Sequence, residues 1–181
     1  KYIVSELKNF IEENNCWINS MKNKKLIYIH SYKEYFFNRT RYKSFFDKTY
    51  FRKELEEFNF EICNQKYSGI CDHTILNNID KIINREENNF VIFLTVNNHV
   101  PVEPVYVSPY IDCKENFPLN LSEQFCKIYN NQMLFNESIS KFLKRMDKND
   151  LLVFLSDTPP MFASKRRIHF EDLIDVYFFS K

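Results

Sequence analysis

The chain has 181 residues, 44% of them hydrophobic and 27% charged, with a formal net charge of +1. That length and composition suit one compact globular domain, residues 1–181, and the near-neutral balance supplies no global field to attract nucleic acid. Gly69 is the only glycine, which rules out a GxxxxGK[ST] phosphate loop, a GxGxxG dinucleotide turn and a GxSxG nucleophile elbow.

Residues 2–22 read as an amphipathic helix, with Ile3, Leu7, Phe10, Ile11 and Ile18 at helical spacing. Leu26–His30 (LIYIH) is short, apolar and β-branched, which predicts a strand. From Ser31 to Tyr67 aromatics mix with Arg and Lys without a clean period. That stretch reads as a long surface excursion, partly helical around Phe51–Phe58. A helix is expected from Asp72 or His73, with Ile75, Leu76, Ile79, Ile82 and Ile83 along one face and Asn88 and Asn89 at its end. Phe90–Val96 (FVIFLTV) is apolar on both faces, as a buried parallel strand is. Four prolines between Asn97 and Pro118 predict a loop. Leu121–Met146 predicts a long helix capped by Asn120 or Ser122. Leu151–Ser156 (LLVFLS) predicts a third buried strand and Leu173–Phe179 a fourth. The order predicts an α/β fold, a mostly parallel sheet flanked by helices. No run of about 18 apolar residues occurs, so no segment of the sequence reads as membrane-spanning.

Cysteine usage leaves two states open. Cys16, Cys63, Cys71, Cys113 and Cys126 include no CxxC pair, which disfavours a zinc ribbon. Cys63–Cys71 and Cys113–Cys126 are the disulfides expected of an exported domain. All five reduced and buried is the other state.

Chemistry-bearing residues gather at the C-terminal ends of the predicted strands, the edge where open α/β sheets build sites. His30 ends the first, Asn97-Asn98-His99 follows the second, and Ser156-Asp157 follows the third. Two histidines and an aspartate meeting there suit metal-assisted attack on a phosphate or sulfate ester.

Four strings in order carry a resemblance: HSYKEYFFNRTRY (His30–Tyr42), YSGICDHTILNNI, FVIFLTVNNHVPV (Phe90–Val102) and LLVFLSDTPPMF (Leu151–Phe162). Together they resemble the C-terminal part of sulfatase-like domains of the alkaline phosphatase superfamily, the kind found in lipoteichoic acid synthases and phosphoethanolamine transferases. The resemblance implies an alkaline-phosphatase-like domain and a divalent metal, zinc or manganese. It implies action on a bacterial envelope glycan or lipid. It places the domain at the periplasmic or extracellular face of the inner membrane, tethered by a segment absent from this chain.

Residue by residue, His99 matches the histidine that contacts the transferring phosphoryl oxygens, and Arg39 the arginine that grips the substrate phosphate. His30 matches a histidine near the same pocket, Phe37 an aromatic of the substrate pocket, and Asn97 a residue of the family's T-x-N-x-H stretch that would face substrate. Asp157 matches a metal-binding aspartate. The family follows that aspartate with a histidine, where this chain has Thr158. A threonine hydroxyl is a poor zinc ligand beside imidazole. Either His169 completes the metal site, or the domain is degenerate and binds an anionic glycan or lipid without turnover. The nucleophile and first acidic ligand of the family precede everything matched here. The fragment alone is therefore expected to be inactive.

Overall fold

A computed structural model describes residues 20–21, 23–64, 69–99, 102–104, 110–113, 123–155 and 176–180. The predicted 2–22 helix and the cap residues Asn120 and Ser122 fall outside the described residues, apart from Ser20 and Met21. The chain divides into two compact units, Lys1–Ile139 and Ser140–Lys181.

The first unit is built on a parallel three-stranded sheet. Its central strand is β1 (Lys25–His30), with β2 (Lys48–Tyr50) on one side and β5 (Asn89–Leu94) on the other. A central strand of a parallel sheet is covered on both faces, and the second half of β1 is fully buried. By contrast β5 is half-buried throughout, because it pairs with β1 alone among the described residues. The chain leaves β1 toward β2 and later returns on the opposite side to β5. The crevice beyond the C-terminal end of β1 is therefore a topological switch point. His30 ends β1 there, paired with Leu94 of β5.

Between the strands, Phe36–Phe45 winds as a succession of 3₁₀ turns, and the short α1 (Arg52–Glu56) follows β2. The Phe51 N–H donates to Glu54 Oε2 at 3.0 Å, which fixes the entry to α1. A two-stranded antiparallel pair, β3 (Ile62–Asn64) and β4 (Gly69–Ile70), leads into α2 (Asp72–Asn77). The predicted helix ends earlier than expected: Ile79–Lys81 is a separate 3₁₀ turn. Ile75, Leu76, Ile79 and Ile82 still bury their side chains with Leu55 and Ile70.

Helix α3 (Glu123–Arg145) belongs to this unit as far as Ile139, with a face carrying Cys126, Asn130, Asn131, Phe135 and Ser138. Its amides take the place of strand partners for the preceding loop. Asn130 accepts from the Ile111 N–H and donates to the Ile111 carbonyl, each at 2.9 Å. Gln124 accepts from the Val102 N–H at 2.7 Å. Asn131 donates to the carbonyls of Asn97 and Glu103. At Asn97, Val102, Glu103 and Ile111 side-chain amides of the helix thus satisfy backbone groups of the preceding segment. Both expected disulfides are formed, Cys63–Cys71 and Cys113–Cys126. Cys16 lies outside the described residues.

In the second unit, β6 (Leu151–Leu155) pairs antiparallel with β7 (Val176–Ser180). The sequence predicted β6 as a buried strand of the parallel sheet. Instead Leu151, Val153 and Leu155 are exposed, with Leu151 63% and Leu155 59% accessible. Five apolar residues satisfy either arrangement, and periodicity does not separate a two-sided buried strand from an antiparallel pair. Among the described residues no helix is long and apolar enough to cross a membrane.

Candidate functional site

The C-terminal end of β1 places His30 in full burial, 0% accessible, among the rings of Tyr28, Tyr32 and Phe51. The Tyr32 N–H donates to His30 Nδ1 at 3.3 Å. Nδ1 is therefore an acceptor, and a neutral ring then carries its proton on Nε2. The ring is neutral at pH 7, because burial, and after it the positive charge of Arg39, lowers its pKa to about 4. Nε2 is buried with no hydrogen-bond partner among the described residues. Tyr28, two residues earlier on the same strand face, also has a buried hydroxyl without a partner, and Arg39 acts on it as well. Two polar atoms without partners among the described residues, both within reach of one guanidinium, suit an oxygen-bearing ligand or a water.

Arg39 reaches this place through an unusual backbone. Asn38 has φ 57°, the left-handed region that asparagine tolerates better than most residues. With its amide oriented toward Arg41, Asn38 Oδ1 accepts from Arg41 Nε at 2.7 Å and Nη2 at 3.0 Å. Arg52 pairs with Glu56 at 2.6 Å. Of these three neighbouring arginines, the half-buried Arg39 is the one whose charge acts on His30. Phe37 stands on the same 3₁₀ stretch, and its side chain lies outside the described features.

His99 enters from β5. Its N–H closes a turn onto the Val96 carbonyl at 2.9 Å, and its exposed ring meets Phe36 edge-on at 6.1 Å between centroids. Phe36 in turn packs edge-on against Tyr32 at 4.9 Å, and Tyr32 lies 5.9 Å from His30. One aromatic path therefore joins His30 to His99, and the stretch that supplies Phe36 also supplies Arg39. His30, Arg39 and His99 are brought to the same sheet edge. Asn97 is buried in the turn after β5. It is 5% accessible, its Oδ1 accepts from the Asp72 N–H at 2.6 Å, and its Nδ2 donates to the Ile70 carbonyl at 3.5 Å.

Sequence reasoning read Asp72 as a helix start and as the aspartate of one resembling string, with no role of its own in the site. It is a buried carboxylate, 4% accessible, whose Oδ2 accepts from the Val96 and Asn97 N–H groups at 2.8 and 2.7 Å. Its Oδ1 accepts from the Ser31 hydroxyl at 3.3 Å. The signal available was the aspartate of the YSGICDHTILNNI string.

Asp157, Thr158 and His169 lie outside the described residues. Among the described residues, Cys63, Cys71 and His73 form a group close enough to share a metal ion. The two sulfurs are bonded to each other, so neither offers a thiolate, and this set does not fit a divalent cation.

No family model matches the chain, and no curated protein does. Solved structures share its fold. The Streptococcus pyogenes phosphoglycerol transferase GacH, in complex with sn-glycerol-1-phosphate, is 21% identical at a TM-score of 0.61, over 88% of this chain and 44% of that one. The lipoteichoic acid synthase LtaP from Listeria monocytogenes is 16% identical at 0.55, over 82% and 39%. An alkaline phosphatase superfamily protein from Vibrio parahaemolyticus is 14% identical at 0.58, over 91% and 40%. The chain shares part of the fold of these structures and spans 39–44% of their length.

Proposed function

We propose that this chain supplies the phosphoryl-gripping part of a phospho- or sulfo-group transferase or hydrolase acting on bacterial cell-envelope glycan or lipid. The observation that carries the reading is the buried Nε2 of neutral His30, without a partner among the described residues and within reach of the Arg39 charge. A neutral N–H donor next to a guanidinium suits an oxyanion: the cation supplies the attraction and the donor supplies direction. In this reading Arg39 grips the phosphate, His30 donates to one of its oxygens, and Tyr28 lies within the reach of the same charge. His99 at the edge of the site contacts the transferring oxygens, with Phe37 against the rest of the substrate. Asn97 holds the turn that presents His99.

The resemblance supports a divalent metal, zinc or manganese, on Asp157 and His169, and a nucleophile on a segment this chain does not match. The two disulfides support an exported location, on the periplasmic or extracellular side. Thr158 supports the second reading, a degenerate domain that binds an anionic glycan or lipid without turnover.

The test is a titration of the chain with inorganic phosphate and with glycerol phosphate, followed on the ring resonances of His30 and His99. Saturable shifts that Arg39→Ala abolishes support the site. No saturable response from wild type would sink it. Metal-dependent phosphodiester turnover by the full-length protein selects the enzyme, and chelator-insensitive binding without turnover selects the degenerate domain.

A further inference from the structure

We infer that Asp72 is the positioning residue that sets His99 against the His30–Arg39 site, an inference that rests on the phosphoryl-binding reading above. Two segments meet α2 at its carboxylate. Ser31, the residue after β1, donates its hydroxyl; Val96 and Asn97, just beyond β5, donate two consecutive N–H groups to one oxygen. Asn97 returns the bond by accepting from the Asp72 N–H. The arrangement is reciprocal, so neither α2 nor the turn after β5 moves without breaking the other's hydrogen bonds.

The chemistry of the residue matters more than its burial. Two adjacent N–H groups aimed at one point form an anion-seeking concavity, and a carboxylate oxygen is the acceptor such a concavity takes best. Any smaller side chain leaves both N–H groups buried without an acceptor. The turn they begin is the one closed by the His99 N–H on the Val96 carbonyl. An error at Val96–Asn97 therefore passes directly to the His99 ring and to its contact with Phe36. Ser31 ties the same carboxylate to the residue next to His30, so one group references both histidines to each other. A misplacement of about 1 Å in such a constellation costs as much as a hundredfold in rate.

The experiment compares wild type, Asp72→Ala, Asp72→Asn and Leu55→Ala. Leu55 is a core residue of α1 and serves as a control that loses stability without touching the site. Two readouts are taken on the 181-residue chain: the nuclear Overhauser contact between the His99 and Phe36 rings, and the affinity for inorganic phosphate. Asp72→Ala is expected to lose the ring contact and weaken phosphate binding about tenfold or more. Asp72→Asn, whose amide oxygen can still accept from Val96 and Asn97, is expected to recover both to within about threefold. Leu55→Ala is expected to keep both although it unfolds more easily.

If Asp72→Ala keeps the ring contact, the inference is overturned. Equal loss in Leu55→Ala overturns it too, because the effect is then general destabilisation. If wild type binds no phosphate yet Asp72→Ala loses the ring contact, the positioning role stands and the phosphoryl reading falls. Should Asp72→Ala not fold, Asp72→Ser, too short to reach all three donors, is read in the same way.

Discussion

Burial first, and the Arg39 guanidinium second, hold the His30 imidazole at a pKa of about 4. The folded value lies below the ordinary 6.5, so this histidine's contribution to stability is present above pH 6.5 and is lost as pH falls through 4. A shift of this size corresponds to roughly 3 kcal/mol across the window. Asp72 works in the opposite sense. Burial raises its pKa to about 7, against the lowering pull of Asn97, Val96 and Ser31. Its contribution is complete below the ordinary carboxylate value of 3.8 and is lost as pH rises through 7. The two slopes oppose each other between pH 4 and 6.5. Urea unfolding across that range is expected to show a shallow dependence for wild type. Asp72→Asn leaves the His30 slope, so its stability rises with pH. His30→Gln leaves the Asp72 slope, so its stability falls. Parallel curves for the three proteins would contradict the assignment.

Asn38 and Arg39 form a second pair to separate by mutation. The left-handed backbone at Asn38 is open to glycine without penalty, while a β-branched residue there is strained by about 1–2 kcal/mol. Asn38→Gly is expected to keep the fold and the position of Arg39, losing only the Arg41 contact. Asn38→Val is expected to lose stability and to withdraw Arg39 from His30. The His30 pKa reports the withdrawal: it rises in Asn38→Val and in Arg39→Ala, and stays near its wild-type value in Arg41→Ala. Titration of the histidine ring resonances distinguishes these cases.

Strands β1 and β5 and helix α3 were legible because each carries a strong local pattern: two continuous apolar runs and one long periodic segment. β2 was not, because Lys48-Thr49-Tyr50 has no apolar signature, and only its register beside Ile27–Ile29 makes it a strand. Strand ends and a family likeness both pointed to His30 and His99, and the likeness alone to Arg39. Asp72 was missed because a carboxylate at a helix start has an ordinary local explanation. Its real partners lie 41, 24 and 25 residues away. The amide clasps of Asn130, Asn131 and Gln124 escaped notice for the same reason. In a chain rich in asparagine nothing marks which amide faces a backbone.

The disulfides give a third prediction. Cys63–Cys71 closes a separation of 8 residues and Cys113–Cys126 one of 13. Chain-entropy arguments assign about 3 kcal/mol to loops of this size. Cys71 immediately precedes Asp72, and the Cys71 N–H donates to the Glu61 carbonyl at 2.8 Å. The first bridge therefore steadies the approach to α2, and the second holds the 110–113 segment to α3. A dithiol reductant is expected to lower the melting temperature by several degrees for each bridge lost. The paired serine variants Cys63→Ser/Cys71→Ser and Cys113→Ser/Cys126→Ser measure each one alone. A melting temperature unchanged by reductant would show that neither bridge forms in solution.

The single glycine supplies the last test. A Cβ on Gly69 would lie 2.6 Å from Tyr32 Cδ1, inside contact distance, so the Tyr32 ring rests directly on the glycine backbone. Tyr32 is buried and central to the aromatic path between His30 and His99. Gly69→Ala cannot be relieved by a flexible side chain tip, because the obstructing group is a rigid ring held by Phe36 and His30. Either Tyr32 shifts or β4 backs away, and β4 leads into Cys71 and Asp72. Overpacking of this kind costs about 1–3 kcal/mol. Beyond the stability loss, the variant is expected to move the His30 and His99 ring resonances together and to weaken phosphate binding. A Gly69→Ala protein that is destabilised yet leaves both histidine signals unmoved would show that Tyr32 fills space without linking the two halves of the site.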